Sequence, residues 1–304
     1  MSGTNVLRQL RRFFLMGGLA LAAEEGHCGP LEGAVFTELD GKVWVLDEGQ
    51  ALRPAVLKAQ VGGRSMVRTG ERSRAEMEFS DRSLVRLGAS AAFAFRPGTR
   101  ELRLDEGAML LHVPKGVGGT TTVRTASATA AITGTTVIIS ATAGGGFRMV
   151  VLEGVAEVRY NDGQRLRCRA GDMSTRQKGE PPPRSPVKVH LDGLVNSSAL
   201  LGGFKARLVS LPLIREAVRV QTLQIGRGSV VPTGTTVGAT TLVPKVDAAR
   251  IDGARISAAV PGGSRTTVQA STLQVNPTLL QNRTTLDPKL QTDLKRFNTL
   301  PPRP

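Results

Sequence analysis

Residues Thr120 to Ser140, TTTVRTASATAAITGTTVIIS, carry one charge in twenty-one positions and contain no proline. A run of this kind is rich in β-branched residues, and it aggregates unless other strands pair with its edges and cover at least one face. The chain must therefore provide a sheet large enough to bury it. Val123, Ile132, Val137 and Ile139 can form one apolar face, and Gly134 divides the run where a turn or a close backbone approach is needed.

The flanking sequence has the same character. Lys42–Leu46, Ala75–Phe79 and Ser83–Leu87 alternate apolar with polar residues, and each ends on turn residues such as Asp47-Glu48-Gly49. Further strands are predicted at Glu101–Leu104, Ala108–Val113, Phe147–Leu152 and Val155–Tyr160. Period-2 segments separated by turns every ~8 to 12 residues predict an all-β domain over 41–177. The architecture expected is an antiparallel β-sandwich or roll, or a short β-solenoid. Asp105-Glu106-Gly107 and Leu152-Glu153-Gly154 repeat one local pattern, so Gly107 and Gly154 are read as structural turn residues whose acidic neighbours receive backbone N–H groups.

Charge separates the remaining segments. The net charge of +15 divides into +3 for 1–23, +2 for 24–180 and +10 for 181–304. In the first segment Arg8, Arg11 and Arg12 precede an apolar stretch, Phe13 to Ala23, and small residues at Ala20-Leu21-Ala22 suit cleavage. That pattern predicts a signal peptide over 1–23, a mature N-terminal segment over 24–40 and no stable membrane span after cleavage. Arg11-Arg12-Phe13-Phe14-Leu15 also resembles a twin-arginine export motif. Export would carry Cys28 and Cys168 into an oxidising compartment, where a disulfide between them would tie the N-terminus to the end of the β domain. Residues 178–187 read as a Pro-rich linker. Residues 188–304 read as a basic, largely disordered tail, because large apolar groups are too few to offset ordering. A short helix is allowed within Leu200–Val220, interrupted by Pro212.

Enzymatic signatures do not emerge. His27, His112 and His190 lie in three separate segments, His112 being read as a surface strand residue. Ala143–Gly146 sits between two strands, which makes it a hairpin and not a phosphate loop. Glu76 and Glu78 share a strand face amid Arg72, Arg74 and Arg82, as a solvated charge lattice would. The chain is expected to be non-enzymatic, with no cofactor and no metal site. The alternative is an envelope polysaccharide-acting enzyme, which would need two carboxylates facing one groove.

A family resemblance is carried by an ordered set of motifs. These are Met66–Gly70, Ala75–Gly88, Leu104–Gly107 with Val113–Gly116, Val123–Ala126, Ile132–Thr135 and Val151–Gly154. In order and spacing they resemble a FecR-type periplasmic domain. The resemblance implies an exported all-β interaction domain without catalysis, in which Gly134 and Thr135 form a recurrent structural turn. FecR regulators also have an anti-sigma segment and a membrane span, neither of which is readable here. The chain is thus expected to be a free-standing FecR-like binding or scaffold module, periplasmic or secreted, with an anti-sigma-type regulator as the alternative. Its expected partner is an envelope protein or an anionic cell-wall or outer-membrane polymer. Nucleic acid is not expected, because no aromatic residues interleave the basic ones.

Overall fold

The structure, a computed structural model, describes residues 29–232. The expected signal peptide at 1–23, Cys28 of the expected disulfide, and the part of the basic tail beyond 232 lie outside the described residues. The strands are β1 (Gly33–Asp40), β2 (Val43–Asp47), β3 (Arg53–Pro54), β4 (Gln60–Gly62), β5 (Ser65–Thr69), β6 (Arg74–Phe79), β7 (Leu84–Leu87), β8 (Ala92–Phe95) and β9 (Glu101–His112). They continue as β10 (Thr121–Arg124), β11 (Ala128–Ile132), β12 (Thr136–Ala141), β13 (Phe147–Glu153), β14 (Val155–Tyr160), β15 (Arg165–Arg169), β16 (Asp172–Arg176) and β17 (Val187–Lys188). Three helices follow: α1 (Leu191–Ser197), α2 (Ala199–Gly202) and α3 (Leu211–Gly226).

The pairings resolve into two leaves. One runs β4-β1-β6-β7-β9-β12-β13-β16-β17. The other runs β3-β2-β5-β8-β9-β10-β11-β14-β15. Both contain β9, so hydrogen bonding is continuous through all 17 strands. Every pairing is antiparallel except that between β9 and β10. The expected sandwich or roll is therefore present, with one parallel junction.

Between the leaves lies the main core. Phe36, Met77, Val85, Leu111, Met149 and Val151 come from the first leaf, and Val45, Val67, Phe93, Val123, Ile132 and Val158 from the second. The run that opens the sequence supplies β10, β11 and β12, with Val123, Ile132, Val137 and Ile139 all fully buried. Phe147 and Tyr160 meet edge to face, their centroids 5.8 Å apart.

The first leaf is buried on both faces. All seven residues of β13 and all four of β7 are buried, which alternation alone does not require. The reason lies beyond residue 187. Val189, Leu191, Leu194, Leu200, Leu201, Phe204, Leu208 and Ile214 pack over Leu84, Leu110, Val150 and Leu152 on the outer side. This is the covered leaf, and the other is the open leaf. Residues 188–226, expected to be mostly disordered, instead form a third layer. The expected linker at 178–187 ends in β17, which pairs with β16. Pro212 begins α3 instead of interrupting it, since proline's missing N–H costs nothing in a first turn. At the other end β1 starts eight residues before the boundary placed at Gly41.

Candidate interaction surface

The four expected turn residues mark places where the chain passes between leaves. Asp105-Glu106-Gly107 is not a turn. It lies within the 12-residue β9, whose first half pairs with β8 and whose second half pairs with β7 and β12. Gly107 is the point of transfer, with φ +90° and the backbone of Ala91 so close that a Cβ would lie 2.5 Å from its Cα. Gly134 (φ +59°) and Thr135 join β11 of the open leaf to β12 of the covered leaf. Gly154 joins β13 to β14 beside them. The Thr135 hydroxyl links these corners, donating to Val155 O at 2.8 Å and accepting from Val155 N at 3.3 Å.

Cys168 is fully buried on β15. Burial, reinforced by the nearby Asp172 carboxylate, pushes its thiol up to about 12. At that value it stays protonated near neutral pH and is not a thiolate nucleophile.

Two polar constellations were not legible as such. Arg86 has no solvent exposure, and its Nε donates to Glu76 Oε2 at 2.7 Å. Its remaining donors reach Leu200 O, Leu201 O and Ala206 O at 3.1, 3.2 and 2.7 Å, and its guanidinium lies 4.5 Å from the Phe204 ring centroid. Glu76 is thus a buried partner that helps dock the helical layer, not part of a solvated lattice. The second constellation is a row across the covered leaf. His112 Nδ1 lies 2.9 Å from Thr136 Oγ1, which donates to Glu153 Oε1 at 2.9 Å. His112 is buried, contrary to the surface placement expected from alternation. Burial lowers its pKa and raises that of Glu153, whose Thr136 and Lys115 contacts oppose the rise. With Glu153 ionised, Thr136 must donate to it, so His112 Nδ1–H donates to Thr136. A hydroxyl committed in that direction is not activated as a nucleophile.

Elsewhere, Asp47 borders a shallow depression lined also by Glu48, Gln50, Arg64 and Pro97. Its carboxylate is committed to Arg53 at 2.8 Å and to the Ser65 hydroxyl. No group of three metal-ligating side chains occurs among the described residues. No helix among them is long and apolar enough to cross a membrane.

The open leaf presents a different surface. On β14 and β15 exposed and buried residues alternate without exception. Arg159, Arg165, Arg167 and Arg169 project outward, and among the described residues their guanidiniums make no ion pair or hydrogen bond. Arg165 stands directly across from Arg159, Arg167 from Glu157, and Arg169 from Val155. Farther in, Arg124 is neutralised by Glu101 at 2.9 Å and Arg103 by Asp105 at 2.5 Å. A near-neutral sum over 24–180 hid this segregation. The readable signal was Arg-Leu-Arg-Cys-Arg, a strand with charge on one face only.

The described residues thus form a two-leaf β-structure with one leaf capped by helices and the other ending in arginines that make no ion pair among those residues. Residues 65–157, reaching from β5 into β14, match the family model described as FecR protein. Two crystal structures of a candidate anti-sigma factor from Parabacteroides distasonis are also similar. The one at 1.65 Å shares 16% identity over 38% of this chain and 56% of that chain, with a TM-score of 0.35. The one at 2.50 Å shares 15% identity over 45% of this chain and 64% of that chain, with a TM-score of 0.38. The similarity thus spans less than two thirds of either solved chain. No curated protein matches the chain.

Proposed function

We propose that this chain is a non-catalytic FecR-type binding module of the bacterial cell envelope, with a role in signalling. The observation that carries this reading is the FecR match over residues 65–157. The first 23 residues deliver the chain to the periplasm or beyond the cell, through the Arg-flanked apolar stretch Phe13–Ala23. Its partner is an envelope protein, with an anionic envelope polymer as the runner-up. Support for a binding role comes from four arginines on the open leaf that make no ion pair among the described residues, since the Arg159–Arg165 pair sets like charges opposite each other and loses stability unless an anion is supplied. Cell fractionation of the C-terminally tagged full chain tests the reading. A shortened product in the periplasm or medium, replaced by an unprocessed cytoplasmic product when Arg8–Ala23 is deleted, is the expected result. An unprocessed cytoplasmic protein overturns it.

A further inference from the structure

β15 ends the open leaf. Among the described residues it pairs with β14 and with no other strand. The hydrogen-bond parity of this ladder follows from its two ends. Tyr160 N donates to Gln164 O at 2.9 Å, and Ala170 N donates to Gly154 O at 3.2 Å. Bonded and non-bonded pairs alternate in an antiparallel ladder, so Leu166 and Cys168 are the bonded positions on β15. The main-chain groups of Arg165, Arg167 and Arg169 therefore point away from β14, toward the open edge. Asp172 takes the Arg169 N–H at 2.7 Å. Those of Arg165 and Arg167 remain at the edge. The same residues project their guanidiniums from the outer face, at a pitch of ~7 Å along the strand. Leu166 and Cys168, buried beneath, hold the strand in place.

We propose that the edge of β15 accepts an extended acidic segment of a partner protein as an added β-strand. A strand added there bonds through its main chain to Arg165 and Arg167, and it has the same two-residue pitch as β15. Carboxylates at every second position then stand opposite Arg165, Arg167 and Arg169. Arginine suits this role because its planar fork pairs with a carboxylate in two parallel bonds. Arg159 supplies a fourth positive charge. It faces Arg165 in a non-bonded pair, the closer of the two kinds, where uncompensated like charge is most costly. A polyanion without a peptide backbone would satisfy the guanidiniums and leave the edge amides unmet. Nucleobases would find no stacking platform, since Tyr160, the aromatic residue of these two strands, points into the core. Arginines on an edge also repel unselected strands, and a strand with alternating acids is the kind such an edge admits. This inference rests on the reading of the chain as a binding module and names the chemistry of its partner.

The test is fluorescence anisotropy of the full chain with a labelled nine-residue peptide carrying glutamate at alternate positions. Comparison probes are a peptide of the same composition with its glutamates contiguous, the alternating peptide N-methylated on one edge, and inorganic polyphosphate. The alternating peptide is expected to bind saturably, and both altered peptides at least tenfold more weakly. Arg165→Gln and Arg167→Gln should each weaken binding by up to about fivefold at low salt. Arg167→Pro should weaken it beyond Arg167→Gln, because proline is tolerated where an edge N–H faces outward yet removes the donor. Unchanged circular dichroism and melting confirm that each variant is folded. Equal binding of all three peptides, or tighter binding of polyphosphate, reduces the edge to a charged surface and overturns the proposal, as does a folded chain that binds no peptide. If the chain is exported and partner-bound yet indifferent to these peptides, the edge proposal alone falls.

Discussion

At Gly107 the backbone has φ +90°, and a Cβ would meet Ala91 at 2.5 Å from Cα and 2.7 Å from Cβ. Gly134 has φ +59°, with its nearest obstacle the flexible Lys115 side chain at 3.1 Å. Both adopt conformations that L side chains resist, but the backbone stands much closer at Gly107, 2.5 Å from the Ala91 Cα against 3.3 Å from the Lys115 Cα at Gly134. Gly107→Ala should cost about 3 kcal/mol and Gly134→Ala about 1 kcal/mol, measured by denaturant midpoint. Equal costs would remove Gly107 from the crossing point assigned to it. Arg86 offers a second measurement. Arg86→Met leaves Glu76 buried beside Thr37, its remaining hydrogen-bond partner at 2.7 Å, and should cost about 3 to 5 kcal/mol. Adding Glu76→Gln removes the stranded charge, so the double variant should be more stable than the single one. His112 gives a pH effect. Burial lowers its folded pKa from 6.5, so the unfolded chain takes up the proton first and stability falls as pH drops through 6.5 toward the folded value. Glu153, raised from 4.5 by burial, acts oppositely: its contribution is lost as pH rises from 4.5 through its folded value. Lys115 Nζ, 3.9 Å from Glu153, is the other charge at this row. Between pH 7.5 and 6 the His112 slope should be visible in the urea midpoint and absent in His112→Asn. An equal slope in both would place the titration elsewhere.

Strands were legible where one face alone is buried. Val155–Tyr160 alternates because its outer side is exposed and its inner side faces the core, whereas the polar Glu76 of Ala75–Phe79 lies buried under the helical layer. The helices were legible only in part: the short helix allowed within Leu200–Val220 overlaps α3, which starts at Leu211 and runs on to Gly226, while α1 and α2 were not read. Leu191, Leu194, Leu200, Leu201 and Phe204 are scattered over short segments, and each finds its burial on the covered leaf and not on its own neighbours. Local periodicity reports burial against a surface that the same element anticipates, and these helices are shaped by a surface built 40 to 120 residues earlier. The doubly buried β13 carried the complementary signal, since Phe147–Leu152 is continuously apolar except for Arg148. A truncation test follows. Ending the chain at Gln177 strips the cover from Leu84, Leu110, Val150 and Leu152. Each such side chain is worth ~1.5 to 3 kcal/mol when fully buried, and a domain has only ~5 to 15 kcal/mol in all. This truncation should abolish cooperative melting or cause aggregation, whereas ending at Pro232 should leave the midpoint unchanged. A Gln177 truncation that melts like the full chain would show that the helical layer is dispensable.

For the whole molecule, charge is distributed unevenly at two levels. The segment after residue 180 carries +10 against +2 for 24–180, which marks the tail as the more basic segment. Folding reveals a second unevenness inside the nearly neutral part, because β14 and β15 gather four arginines that make no ion pair among the described residues around a single acid, Glu157, while other acids are spent on Arg53, Arg86, Arg100 and Arg124. A sum over sequence cannot register which face of a strand a charge occupies. The proposed site of recognition is therefore the β15 edge of the open leaf, beyond the FecR-matched residues 65–157, with the tail in at most a supporting role. Co-sedimentation of the full chain with isolated envelope material decides between them, run at low salt and again at an ionic strength where the Debye length is ~8 Å. With Arg165, Arg167 and Arg169 all replaced by Gln, retention should fall severalfold while a chain ended at Pro232 is retained like the full chain. Undiminished retention of the triple variant, together with loss of retention on removing residues after Pro232, would contradict the account and assign binding to the tail.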